Sequence, residues 1–527
     1  MTFVPVCTAA ELTAHEVKRV LVEGRTLLLA RLADGSVAAL DATCPHARAS
    51  LAFGVRSDER LVCPLHLAAF ELATGRALEP PACGGVAAFP ARVEADHVLV
   101  DPTAPTVPEP PRVGPGPVDP RVFVIVGAGP AGTEAAITLR REGFRGRMVL
   151  IGEEPELPYE RPDLSKAFLL GLKPRDALTL LPRATFDHLG VELRLGVRAT
   201  RLDAAARRVE LSDGTRLAYD QALVATGATP RRPSAPGFDA PNVHILRTLA
   251  DAERLMASLP ENGRVLLVGA GFIGLELAAS LRRKKLDVTV VAPEAVPFER
   301  ILGPRIGALF ADLHRANGVD LRLGRTVSRL EVGGRVTAAV LDDGARVDVD
   351  LLVVGIGVAP TAGFVEGAPT SEREGALLAD ATLKVADGLW AAGDVVRFPF
   401  GAEGTSTRIE HWRVAAQMGR TAALGMLGRP APFDAWPFFW THHYTLMFQL
   451  VGHAAGWDEV LFQGEPTPRG FLAYYLRQGR LLAVAGAQKG RDVAAASECL
   501  RRGDRPDAQA LRAGVDWPAR LRALPAI

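Results

Sequence analysis

Twice along this chain a short β-branched run ends in Gly-x-Gly-x-x-Gly and passes straight into a helical segment, and nothing else restricts the fold as tightly. The first copy leads from residues 122–126 into Gly127-Ala128-Gly129-Pro130-Ala131-Gly132, with helical patterning to Arg140. The second leads from residues 265–268 into Gly269-Ala270-Gly271-Phe272-Ile273-Gly274, helical to Arg283. A glycine-rich turn on its own can simply close a bend. Between a strand and a helix it lets the backbone approach a pyrophosphate, whose charge meets the unpaired N–H groups and dipole of the helix N-terminus. Two such units predict two parallel α/β domains and two dinucleotides, one held and one exchanged.

The second strand of each unit should end in an acid that binds ribose hydroxyls. Residues 148–151 end in Gly152-Glu153, and residues 288–291 end in Ala292-Pro293-Glu294, so Glu153 and Glu294 are the expected ribose ligands. No arginine directly follows the second strand end to hold a 2′-phosphate, and Arg300 is farther on, which favours NADH over NADPH. Gly355-Ile356-Gly357 lacks a third glycine and reads as a strand end.

A length of 527 residues gives three or four domains at roughly 150 residues each. The chain is 48% hydrophobic and 23% charged, a soluble-globular composition that leaves no room for disorder or coiled coil. A net charge of +1 argues against a nucleic-acid partner. The most apolar window, residues 265–281, contains Gly269, Gly271, Gly274 and Glu276 and is too short to span a bilayer, so no membrane span is expected. The N-terminus does not read as a secretory signal, and a cytoplasmic location is expected. The expected boundaries are a small all-β domain over 1–101, a proline-rich linker over 102–120, a first dinucleotide domain built from 121–240 and 359–429, a second inserted over 241–358, and an α+β domain over 430–527.

In the small domain, Cys44-Pro45-His46 is followed after 16 residues by Cys63-Pro64-Leu65-His66. Each loop then offers one thiolate and one imidazole. The same four ligands could hold a zinc ion. With Phe70 and Thr74-Gly75 following, the pattern resembles a Rieske ferredoxin domain. That resemblance implies a [2Fe–2S] cluster with Cys44 and Cys63 on one iron and His46 and His66 on the other. No extra cysteine stands beside these ligands, where Ala47, Arg48, Ala49 and Leu65 are found, so the low-potential, ferredoxin-like kind is expected. Cys7, Cys83 and Cys499 read as spare thiols.

From residue 121 onward the chain resembles the FAD-dependent pyridine nucleotide oxidoreductases of the ferredoxin reductase and apoptosis-inducing factor-like branch. The resemblance is carried by Pro158-Tyr-Glu-Arg-Pro-Asp-Leu-Ser-Lys166, Ala225-Thr226-Gly227 and Trp390-Ala-Ala-Gly393-Asp394 besides the glycine turns. It implies Rossmann-like domains in which the first turn holds FAD and the second NAD(P)H. Arg161 and Lys166 then lie against the flavin, Asp394 bonds the ribityl chain, Lys166 pairs with Glu276 beside flavin N5, and Trp412 lies near the isoalloxazine. No cysteine lies between Cys83 and Cys499, so a Cys-pair relay beside the flavin is absent and electrons must leave by another route. His442 and His443 alternate on a strand and read as packing or docking residues, and the aromatic run 439–444 as a cover for the flavin pocket.

The expected activity is an electron-transfer enzyme: NADH to FAD, then single electrons to the Rieske cluster and on to a protein acceptor or small oxidant. The linker is expected to let the small domain swing between flavin and acceptor. A redox-responsive NADH sensor and an NADH oxidase using dioxygen are the rivals, and a homodimer is an open alternative.

Overall fold

The computed structural model describes residues 2–108, 118–401 and 403–526; residues 109–117, the middle of the expected linker, lie outside the described residues. The N-terminal part is all β, as its short runs between turn residues dictate. It has a three-stranded sheet and two four-stranded antiparallel sheets. One of these sheets carries the strands Arg25–Arg31 and Val37–Asp41, the other the strands Arg60–Val62 and Ala69–Glu71. The first cysteine loop follows Val37–Asp41, and the second joins Arg60–Val62 to Ala69–Glu71. Thr106 exchanges two backbone hydrogen bonds with Ala88, so the chain stays pinned to this part beyond residue 101.

The first α/β sheet has six strands, in the order Val191–Leu195, Arg147–Gly152, Val122–Val126, Gln221–Val224, Leu389–Ala391, Lys384–Ala386. All pairings are parallel except the last. Phe123, Val124 and Ile125 are fully buried, as continuous apolar runs are in parallel sheets covered on both faces. The helix Pro130–Arg141 starts with proline at its first position, where the missing N–H costs nothing. The helix Trp412–Met426 lies so close to it that a Cβ on Gly419 would meet the Ala131 carbonyl at 2.0 Å. The second, inserted unit is a five-stranded parallel sheet containing Arg264–Val268 and Asp287–Ala292, with the helix Phe272–Arg283 following its glycine turn. The C-terminal part is a five-stranded antiparallel sheet, with Phe438–His443 at one edge, backed by the helix Gly490–Arg501.

The expectation of a swinging small domain meets a seated one. Val55, Val62, Leu67 and Ala69 share one apolar core with Phe438, Trp440, Val451 and Val493 of the C-terminal part. Buried Arg413 donates to the carbonyls of Pro80 (2.8 Å) and Leu67 (3.3 Å). The Gln449 amide donates to the carbonyls of Pro64 and Leu65 in the second cysteine loop.

Replacing Arg413 by Ala leaves two carbonyls of the seat without a donor, each costing about 1–3 kcal/mol. The expected result is a lower midpoint of chemical unfolding, with partial recovery in Arg413→Lys. An unchanged midpoint in Arg413→Ala refutes the seat in solution.

Candidate active site

The two glycine turns have the same construction. Gly127 and Gly269 adopt φ of +119° and +113°, which favours glycine. A Cβ on either would meet a neighbouring carbonyl, Ala225 O at 2.2 Å or Gly355 O at 2.3 Å. Gly132 and Gly274 abut the carbonyl of the first glycine in their own turn, at 2.0 and 2.3 Å from a built Cβ. Gly129 and Gly271 face nothing within 4 Å. The outer glycines thus close the strand-to-helix turn, while the middle one fronts the open space that a pyrophosphate needs.

The first turn opens into a cleft of about 1020 Å³. Gly127, Gly129, Pro130, Ala131, Glu153, Arg161 and Lys166 line it, as do Ala225, Thr226, Gly227, Glu276, Gly393, Asp394 and Trp412. Gly132 is behind the turn. From the second turn only Phe272 and Ile273 reach this cleft; Gly269, Gly271 and Gly274 remain on the inserted unit with Glu294, which is exposed just beyond the strand Asp287–Ala292. The adjacent chain brings Arg325 to that strand end, its N–H donating to Ala292 O, but its guanidinium is paired with Asp343 at 2.9 Å.

Lys166 Nζ donates to Glu276 Oε2 at 2.7 Å, joining the first α/β unit to the inserted one across the cleft. Sequence reasoning missed several partners. Arg247 holds Asp394 at 3.1 Å. Tyr159 donates to Glu154 at 2.6 Å and accepts from Arg161 at 3.0 Å, so Arg161 is fixed before any ligand enters. Tyr159 lay within a quoted motif and Glu154 directly follows Glu153 at the strand end; Arg247 gave no local signal. Burial pulls the pKa of His411, in the cleft wall, down to about 3, and its Nδ1 is buried without a hydrogen-bond partner.

The two cysteine loops also repeat one construction. Cys44 N–H donates to Ala49 O and Cys63 N–H to Ala68 O; Arg48 and Leu67 N–H return to the cysteine carbonyls. Arg48 and Leu67 both sit at positive φ, +58° and +59°, strain of the kind kept at functional sites. The four side chains come as two like pairs. The Cys44 thiol donates to Cys63, which, with the Leu65 and His66 amides, lowers the Cys63 pKa against its burial. His46 Nδ1 and His66 Nδ1 face each other at 3.0 Å. Like pairs with amides aimed at sulfur fit a two-iron cluster.

The imidazole edge of this centre faces the cleft. His66 packs on Trp440 with ring centroids 4.4 Å apart, and Trp440 also lines the cleft. His46 Nε2 lies 3.1 Å from Glu160 Oε1, in the same loop as Arg161 and Lys166. Neither Glu160 nor Trp440 had been singled out, although both stood in quoted segments.

Comparison with known proteins agrees with this arrangement. The family model described as pyridine nucleotide-disulphide oxidoreductase matches residues 121–419, a Rieske [2Fe-2S] domain matches 2–90, and a reductase C-terminal domain matches 438–524. The chain is 38% identical over 75% of its length to 96% of the 5,5'-dehydrodivanillate O-demethylase ferredoxin reductase subunit of Sphingobium sp. (strain NBRC 103272 / SYK-6). It is 33% identical over 94% of its length to 84% of human apoptosis-inducing factor 3. The ferredoxin reductase for the CYP199A2 system from Rhodopseudomonas palustris superposes with a TM-score of 0.70 at 33% identity, covering 74% of this chain and 96% of that one. The protein is a Rieske-containing flavoprotein reductase. It belongs to the pyridine nucleotide-disulphide oxidoreductase family, in its ferredoxin reductase and apoptosis-inducing factor-like branch, with FAD, NAD(P)H and a [2Fe–2S] cluster as cofactors.

Two substitutions separate the sites. Gly129→Val fills open space, so the fold should persist by circular dichroism while the yellow flavin absorbance of purified protein is lost. Cys63→Ser should abolish bound iron and retain flavin. Loss of both groups in either variant contradicts their independence.

Proposed function

We propose that the protein is an NADH-dependent reductase that passes electrons within one chain, from FAD in the first glycine cleft to the Rieske cluster, and then to a redoxin- or oxygenase-type acceptor. FAD accepts a hydride and yields single electrons, which a [2Fe–2S] cluster can take up one at a time. The observation that carries this reading is that Trp440, which lines the cleft, packs on His66 at the imidazole edge of the cluster site. Ferredoxin reductases among the relatives support the direction of flow.

In this reading each group on the chain has a definite task. Gly127, Gly129 and the N-terminus of Pro130–Arg141 hold the FAD pyrophosphate, Glu153 its ribose and Asp394 its ribityl chain. Gly269, Gly271 and the helix Phe272–Arg283 hold NADH, with Glu294 on its ribose. Lys166 holds a positive charge where negative charge develops, and Glu276 offsets the cost of burying it. Trp412 and Trp440 wall the cleft with apolar rings and exclude water. Cys44 and Cys63 would hold one iron, His46 and His66 the other, and Glu160 accepts a hydrogen bond from the outer imidazole nitrogen of His46.

Anaerobic rapid mixing of the holoprotein with NADH, followed by absorbance and low-temperature EPR, tests the reading. The flavin should bleach first and the cluster should follow within a turnover. A cluster that stays oxidised beside fully bleached flavin overturns the reading, and a persistent long-wavelength band without cluster reduction supports a sensor instead. Glu294→Ser should narrow the preference for NADH over NADPH in kcat/KM by about tenfold, or about 1.4 kcal/mol; an unchanged ratio removes Glu294 from the ribose site.

A further inference from the structure

The Lys166–Glu276 pair does not end at the cleft. Lys166 and Ser165 both donate to Glu276 Oε2, at 2.7 and 2.6 Å. The other carboxylate oxygen accepts from Thr441 Oγ1 at 2.7 Å. A threonine hydroxyl has a single proton. Having given it to Glu276, Thr441 can only accept from His443 Nε2, 2.8 Å away. That places the His443 proton on Nε2 and leaves Nδ1 to accept from His314 Nε2 at 3.0 Å. His314 Nδ1 is then the acceptor for the Tyr444 hydroxyl at 3.4 Å. With these tautomers every hydrogen bond from Tyr444 to Glu276 points inward.

Three separate elements build this row: the helix Phe272–Arg283 supplies Glu276, the helix Pro304–Ala316 supplies His314, and the hairpin starting with Phe438–His443 supplies the rest. Thr441, His443 and His314 are completely buried, and Phe298 and Phe310 flank His443. Burial lowers the His314 pKa to about 4. Burial, with His314, Lys166 and His442 nearby, holds that of His443 well below its usual value. Both imidazoles are therefore neutral near pH 7, each with one donor and one acceptor nitrogen, so each can take a proton on one side and release it on the other. Tyr444, half-buried, occupies the hairpin turn beside exposed Thr445.

We propose that Tyr444, His314, His443 and Thr441 form a proton conduit between solvent and the Glu276 carboxylate. This rests on the electron-transfer reading above, which fixes the stoichiometry. As a hydride enters the cleft from NADH, one inward shift along the row places a solvent proton on Glu276. When the two electrons have left to two one-electron acceptors, that proton and the one delivered with the hydride return to solvent. The sum is NADH plus two oxidised acceptors giving NAD⁺, two reduced acceptors and one proton.

Full-length holoprotein is mixed anaerobically with NADH in weak buffer containing a pH-indicator dye, with flavin, cluster and dye followed together. In the unaltered protein the dye signal should keep pace with electron transfer. Thr441→Val and His443→Gln should each delay the dye signal behind flavin bleaching by about tenfold or more, and Tyr444→Phe should delay it less. A readout independent of turnover is ¹⁵N NMR of histidine-labelled holoprotein, in which His314 and His443 should both be neutral Nε2–H tautomers. Dye and flavin signals that stay together in the folded variants, or an Nδ1–H tautomer at His443, overturn the conduit. A cluster that NADH never reduces in the unaltered protein instead removes the electron-transfer reading, and the tautomers still report the row on their own.

Discussion

A lysine ammonium and a glutamate carboxylate can share a poorly hydrated cleft only if each supplies what the other loses on leaving water. Lys166 and Glu276 do so at 2.7 Å, with side chains 17% and 7% exposed. Breaking such a pair from one side typically costs about 3–5 kcal/mol, because an uncompensated charge remains. Glu276 also accepts from Ser165 and Thr441, so one carboxylate gathers donors from the first α/β unit and the C-terminal sheet onto a helix of the inserted unit. The relative placement of these three parts, and hence the shape of the cleft, follows from satisfying that carboxylate.

Much of this was legible in the sequence where the constraint is local. The glycine turns were readable because the backbone itself demands them: Gly127 and Gly269 at positive φ, Gly132 and Gly274 under a carbonyl. The cysteine and histidine loops were readable for the same reason, since each ligand pair lies within one turn of chain. The alternation of His442 and His443 also held, with His443 buried and its neighbour half-buried. What it could not reveal was the setting of the buried ring, because His314, its direct partner, and Glu276, which it reaches only through Thr441, lie far away along the chain.

The other omissions have the same origin. Arg247 meets Asp394, and Glu160 meets His46, across separations of 147 and 114 residues, and no periodicity marks either. Proline content marked residues 102–120 as a spacer without revealing where it begins, since the pairing of Thr106 with Ala88 is a tertiary event. Nor did composition reveal the seat. Leu67, Val55 and Val62 look like the private core of a small domain until Phe438, Trp440 and Val493 are placed against them.

That seat bears on how electrons can leave. The two cysteine loops repeat one backbone but not one environment. Pro64 and Leu65 of the second loop are held by Gln449, and a Cβ on Gly490 would meet the Pro64 carbonyl at 2.6 Å. In the first loop Pro45, Ala47 and Arg48 are exposed. Releasing the domain would uncover Val55, Val62, Leu67 and Ala69 and strip Arg413 of its carbonyl partners, and each 1.4 kcal/mol of that cost lowers the released population about tenfold. In the proposed electron-transfer reading, transfer inward, from the cleft past Trp440 to the histidines, needs no such motion. On the same reading, transfer outward is least costly through the exposed side of the Cys44 loop, with the domain still in its seat.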